Sequence, residues 1–237
     1  MPSWGLHIYI AECVCDKLKN KIDYNSFLFG NVLPDIYSGW IIKDASQVYN
    51  YDVSHYASKV ILNGREYKLS SYEKFIKEQR ENLKNPIILG YLSHLMADHF
   101  FNKYAFSHHY IKDSSGQVEK IVLKNGEIIQ GNSETARIYK QNDTAIFSNY
   151  ILKTKCKINS INLNSDITRD VKYIKNMNIK AEDLVKVDNY LNNMLGKKYE
   201  DILQLGNNYM MFTEEELYLL IQDIINNIVD MINKINN

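Results

Sequence analysis

Only three prolines, Pro2, Pro34 and Pro86, interrupt the 237 residues, and no Gly-, Ser- or Pro-rich linker divides them. That scarcity leaves room for long helices and leads us to expect one domain over 1–237. Cysteine is scarce too. Cys13, Cys15 and Cys156 are an odd number, which argues against a disulfide scaffold and suits a reducing compartment. Cys13 and Cys15 fall on roughly opposite sides of a helix and make a poor metal pair. No run of eighteen apolar residues occurs, so no spanning helix is expected. The opening Met-Pro-Ser-Trp-Gly-Leu-His lacks the basic and apolar regions of a signal peptide. A cytoplasmic protein without a stable membrane anchor is the expectation. The 28 basic side chains balance 28 acidic ones with no long block of either sign, which argues against duplex nucleic acid as a partner.

What the chain does have is helical periodicity. A first helix is predicted over Leu6–Lys19, with Trp4, His7, Ile10, Ala11 and Val14 on one face. Gly30–Gly39 reads as a loop, in which Pro34 biases Leu33 toward an extended backbone and Asp35 follows the break. Residues 71–83 suggest a polar surface helix, and Pro86 opens a buried one. Asn125-Gly126 between β-prone runs predicts a hairpin over 118–130. Ser133–Lys153 returns to helix, and a short helix is expected around 166–176. Thr213-Glu-Glu-Glu216 is a capping box that starts a last helix with Leu217, Leu220, Ile221, Ile224, Ile228 and Ile232 as its core stripe. The predicted class is all-α: a multi-helix bundle with a small β-hairpin insert.

The most informative stretch is 87–105, apolar on nearly every side and therefore expected to be buried. His94 and Asp98 inside it are spaced i, i+4 and share a face with Ile87, Tyr91, Phe101 and Ala105. A carboxylate there costs several kcal/mol unless a cation or several donors meet it. A metal ion satisfies both side chains at once, because neutral imidazole and carboxylate are zinc ligands; a plain His–Asp hydrogen bond in a core is the bland alternative. His7 in the first helix, His55 in Tyr-Asp-Val-Ser-His-Tyr and Asp35 each have an ordinary reading alone, as core, packing or capping residues. Together the five make a ligand set with more than one carboxylate, which suits a two-metal centre.

The order His7, Asp35, His55, His94-x-x-x-Asp98 resembles the bacterial zinc-dependent phospholipase C family, whose fold is shared with fungal single-strand nucleases. The local matches are His-Ile-Tyr-Ile-Ala at His7, Asp35-Ile-Tyr, Ser-His-Tyr at His55 and Tyr-Leu-Ser-His-Leu-Met-Ala-Asp, within residues 4–110. The resemblance implies one zinc held by Asp35, His55 and His94, with Asp98 bridging to a second held with His7. The family also uses an N-terminal Trp on that second ion; Trp4 is near the start but not first, and is placed as a wall of the site. A third zinc would need a His six residues after the bridging Asp and a His-x-x-x-Glu pair. Position 104 is Tyr104 and no such pair follows, so His99, His108, His109 and Glu134 are the available substitutes. Two or three zinc ions are therefore expected.

Zinc lowers the pKa of bound water to about 7 and so supplies hydroxide at neutral pH. The resemblance thus implies a hydrolase of phosphate esters, with a phospholipid head group or small phosphate ester as substrate. Asp35 is the candidate general base, and Trp4, Tyr37, Tyr56 and Phe101 are candidate walls for the substrate. The alternatives are a non-catalytic helical protein with a structural or degenerate metal site, and a nuclease of the same fold. An HD-type phosphohydrolase has little support, because only the reversed Asp98-His99 occurs.

Overall fold

The structure is a computed structural model that describes residues 3–19, 22–163, 171–172, 174, 177–196, 201 and 203–236. The expected helix around 166–176 lies largely outside the described residues. Among these there are eight helices: α1 (Trp4–Lys17), α2 (Tyr24–Ile36), α3 (Tyr51–Ser54), α4 (Tyr72–Glu78), α5 (Pro86–His108), α6 (Ser133–Thr154), α7 (Ala181–Leu195) and α8 (Glu214–Asn236). Two small antiparallel sheets join them, β1 (Ser58–Leu62) with β2 (Arg65–Leu69), and β3 (Tyr110–Lys112) beside β4 (Val118–Val122) and β5 (Ile128–Gln130). The class is the expected one, mostly helical with a minor β part. No described helix is long and apolar enough to cross a membrane.

Local chemistry accounts for most of the boundaries. Asn85 accepts a hydrogen bond from the Ile87 amide at 2.8 Å, and Pro86 takes the first position of α5, where no N–H is needed. At the start of α8 the capping box closes both ways: Glu216 N donates to Thr213 Oγ1, and Thr213 N donates to Glu216 Oε2. The six predicted stripe residues of α8 are all buried.

Two expectations are revised, and two elements come in addition. Asp35 does not follow a break: α2 continues through Pro34 to Ile36. Proline so close to the end removes one helical bond only, the one to the Gly30 carbonyl, and burial of Val32, Leu33 and Ile36 outweighs it. The expected hairpin is part of a three-stranded sheet that β3 completes. A second hairpin, β1–β2, turns through Asn63 and Gly64, both at positive φ, as a two-residue primed turn requires. Helix α7 went unpredicted, although Leu184, Val187, Leu191, Met194 and Leu195 form its buried stripe.

The pair α2 and α5 forms the centre of the molecule. They approach closely on two glycines. A Cβ on Gly30 would lie 2.1 Å from the Ile87 carbonyl oxygen, and a Cβ on Gly90 would lie 2.1 Å from that of Phe27. Asn31 locks the crossing by donating to Ser93 Oγ at 3.0 Å and to the Gly90 carbonyl at 3.4 Å. Each of Gly30→Ala and Gly90→Ala is predicted to destabilise the fold by about 1–3 kcal/mol through overpacking, read as a lower urea midpoint. An unmoved midpoint in both variants would contradict this crossing.

Candidate metal centre

The crossing carries chemistry because it points α2 and α5 at each other with Asp35 on one and His94 and Asp98 on the other. Helix α1 adds His7, and His55 caps the C-terminal end of α3. The Tyr91 hydroxyl reaches from α5 to donate to the Ser54 carbonyl, which seats that cap against the core. The five side chains are at most 1% exposed.

Their polar atoms converge. His55 Nε2 lies 3.4 Å from Asp35 Oδ1 and 3.4 Å from Asp98 Oδ2, and His7 Nε2 lies 3.4 Å from Asp98 Oδ1. His94 Nε2 is 3.9 Å from Asp35 Oδ2 and 3.2 Å from His55 Nε2. The ring of His7 stacks on that of His94 with centroids 3.9 Å apart. Two overlapping ligand groups result, His7–His94–Asp98 and Asp35–His55–His94, each with its ligand atoms within 4.8 Å of one another. Both share His94, while Asp98 spans from His7 to His55.

The protonation pattern suits metal ligation. The Asn31 carbonyl can only accept, so His94 Nδ1 carries the proton that meets it at 2.7 Å. The Nε2 lone pair then faces the cluster, the orientation that a carbonyl behind the ring gives a metal-ligating histidine. Burial, then the neighbouring His7, pushes the His94 pKa down to about 3, so the ring is neutral at physiological pH. Burial would raise the pKa of Asp98, but the imidazoles around it, His7 foremost, hold its carboxyl well below the usual range.

The decisive feature is what the site lacks. Among the described residues, none of the four oxygens of Asp35 and Asp98 accepts a hydrogen bond, and neither ring nitrogen of His7 makes one. Buried ionised groups left in that state cost several kcal/mol. A divalent cation among them removes the deficit, and mixed imidazole and carboxylate donors fit zinc.

The model of the zinc-dependent phospholipase C family matches residues 6–179. The chain belongs to the zinc-dependent phospholipase C family. No curated protein and no solved structure matches it significantly. The family match covers all five converging residues and the helices α1, α2 and α5 that present them.

The other site candidates in this family member have partners of their own. His99, half-buried beside Tyr72 and Phe100, meets the Ser70 carbonyl through Nδ1 at 2.8 Å. His108 is exposed and stacks on Tyr104. His109 is held between the Val122 carbonyl and Glu216 Oε1, at 2.9 and 3.2 Å. Glu134 pairs with Arg137 on the surface of α6. None of the four joins either ligand group among the described residues. Of the aromatic candidates, Trp4 packs edge-on against Tyr190, Tyr37 donates to Asp183 in α7, Tyr56 donates to Glu78, and Phe101 packs on Phe212. Tyr51, half-buried, does touch the cluster, stacked on His55 at 4.2 Å. It stands four residues before His55, a spacing the sequence displays.

Two predictions follow from the geometry. Asp98→Ala is expected to reduce zinc, counted by mass spectrometry on protein purified without chelator, by at least one ion per chain. Full retention would remove Asp98 from the ligand set. The second concerns zinc-free protein. A histidine whose folded pKa lies below its unfolded 6.5 contributes stability that is present above pH 6.5 and is lost as pH falls toward 3. His94 alone thus accounts for a loss of about 2 kcal/mol between pH 7.5 and pH 5. Urea midpoints at those two pH values should show this loss in the wild type and a shallower one in His94→Gln; equal slopes would refute it.

Proposed function

We propose that the chain is a zinc-dependent hydrolase of phosphate esters, acting in the manner of a phospholipase C on a phospholipid head group or a small phosphate ester. The observation that carries this reading is the pair of buried carboxylates with no hydrogen-bond donor among the described residues, set inside two overlapping ligand groups. Asp35, His55 and His94 are suited to hold one ion, and His7 with Asp98 a second, with His94 and Asp98 close to both. Zinc bound there would draw charge from the phosphoryl oxygens and lower the pKa of water to about 7.

The protein's own groups then have distinct tasks. Asp98, reached by His7 on one oxygen and His55 on the other, fixes the spacing between the two halves of the site. Asp35 is an ionised acceptor at the end of α2 and is placed to take the proton of the attacking water. Water would add to phosphorus as Asp35 takes its proton, the bond from phosphorus to the ester oxygen would break, and that same proton would pass to the leaving oxygen, releasing the alcohol and restoring the carboxylate. The asparagine carbonyl behind His94 and the hydroxyl of Ser54 behind His55 keep both rings from turning. Tyr51 is the half-buried ring on the edge of the cluster, and we place the substrate's approach beside it. The remaining interior excludes bulk water.

The test compares zinc-loaded and chelated protein on phosphatidylcholine vesicles, a soluble phosphodiester and single-stranded DNA. Head-group release that chelator abolishes and zinc restores is expected, with kcat lowered about 100-fold or more in Asp35→Asn. Full zinc occupancy with no turnover of any substrate would leave a structural metal site. Cleavage of DNA alone would assign the nuclease chemistry instead.

A further inference from the structure

Lys140 is a cation in the wrong place for a surface helix. It projects from α6 into the interior with 7% of its surface accessible, and its ammonium donates to Asn102 Oδ1 at 2.8 Å. Asn102 follows His94 and Asp98 at the same four-residue interval, so the amide that holds the lysine is the next rung of the face that carries the ligands. Among the described residues no carboxylate lies within ion-pair distance of Lys140. Asp98, one turn back along α5, is the carboxylate whose charge acts on it. The Phe106 ring at 5.6 Å offers only a weak cation–π contact.

An ammonium brings three donors, and an amide oxygen neutralises no charge. With that amide as its hydrogen-bond partner among the described residues, burying the ammonium is costly unless an anion completes the site. The cost grows once the ligand groups are filled. Two divalent ions against Asp35 and Asp98 leave an excess of two positive charges, and Lys140 raises it to three. A phosphate ester is an anion of the size and charge that such an excess selects.

We propose that Lys140 anchors the phosphoryl group of the substrate, its ammonium, aimed by Asn102, taking a non-bridging oxygen on the α6 side of the metal centre. The inference rests on the hydrolase reading above. It assigns the specificity for phosphate to a residue outside the ligand set, and it gives α6 a part in the site.

Inorganic phosphate titrated calorimetrically into zinc-loaded wild type, Lys140→Met and Lys140→Arg tests it, with zinc counted in the same samples. Lys140→Met should keep the wild-type zinc content and bind phosphate about 10–100-fold more weakly, the loss expected for one charge-assisted hydrogen bond. Lys140→Arg should recover part of that affinity. Should Lys140→Met not fold, Asn102→Asp serves: it gives the ammonium a carboxylate and should weaken phosphate binding while Lys140 remains. Zinc-replete variants that bind phosphate as the wild type does overturn this inference alone. Wild-type protein that binds no zinc overturns the hydrolase reading, and this inference with it.

Discussion

A carboxylate removed from water needs donors or a cation, and Asp35 and Asp98 are closed off from solvent and have no hydrogen-bond donor among the described residues. Their closest polar neighbours among the described residues are three imidazoles. Those rings form no hydrogen bond to either acid, and His94 has spent its Nδ1 proton on the Asn31 carbonyl and turns a lone pair inward. Two acids and an inward lone pair at such short range describe a place for positive charge. Most other features of the interior can be read as arrangements that keep those groups there against their tendency to be solvated.

The arrangement begins with backbone rather than side chains. Gly30 and Gly90 let α2 and α5 meet at a separation that any Cβ would prevent, and this closeness brings the Asn31 carbonyl within reach of His94. Asn31 thus works twice, its amide group tying the two helices and its carbonyl setting a tautomer. Tyr91 does the corresponding work for His55 by holding the end of α3. The stacked His7 and His94 rings fix α1 against the same face. Packing and ligand placement are therefore one problem here, solved by small residues at the crossing and by polar residues that each face two ways.

The parts of this that the sequence displays are those with a period. His94 and Asp98 share a helical face at a spacing anyone can count, and the stripe and capping box of α8 are equally plain. Asp35 was harder, since Pro34 signals a break that burial of its neighbours overrides. The β1–β2 hairpin had its Asn63-Gly64 signal, and α7 its apolar stripe, so both were readable. The fate of His99 and His109 was not readable, because carbonyls of Ser70 and Val122 and the carboxylate of Glu216 from other segments decide it, whereas His108 keeps to Tyr104 one turn back on α5. Lys140 was least legible of all. A lysine on an amphipathic helix reads as solvated, and only the position of Asn102 in space shows otherwise.

The distribution of these groups along the chain explains how one centre couples to the whole fold. The five converging residues run from position 7 to position 98 and sit on four separate elements, so an unfolded chain cannot present them together. Ion binding then favours the folded state, and its free energy is shared by every contact that aligns α1, α2, α3 and α5. His94 sits in both groups, which makes filling one position bear on the other. The second half of the chain supplies none of the five. Its helices α6 and α8 pack on α1, and α8 also packs on α5, closing the centre from the other side. On the proposed reading, a protein with no net charge would concentrate positive charge at one interior point once ions fill the two groups. Selection of an anion there would depend on a local field in a water-poor interior, which is stronger at short range than any long-range steering from a balanced surface.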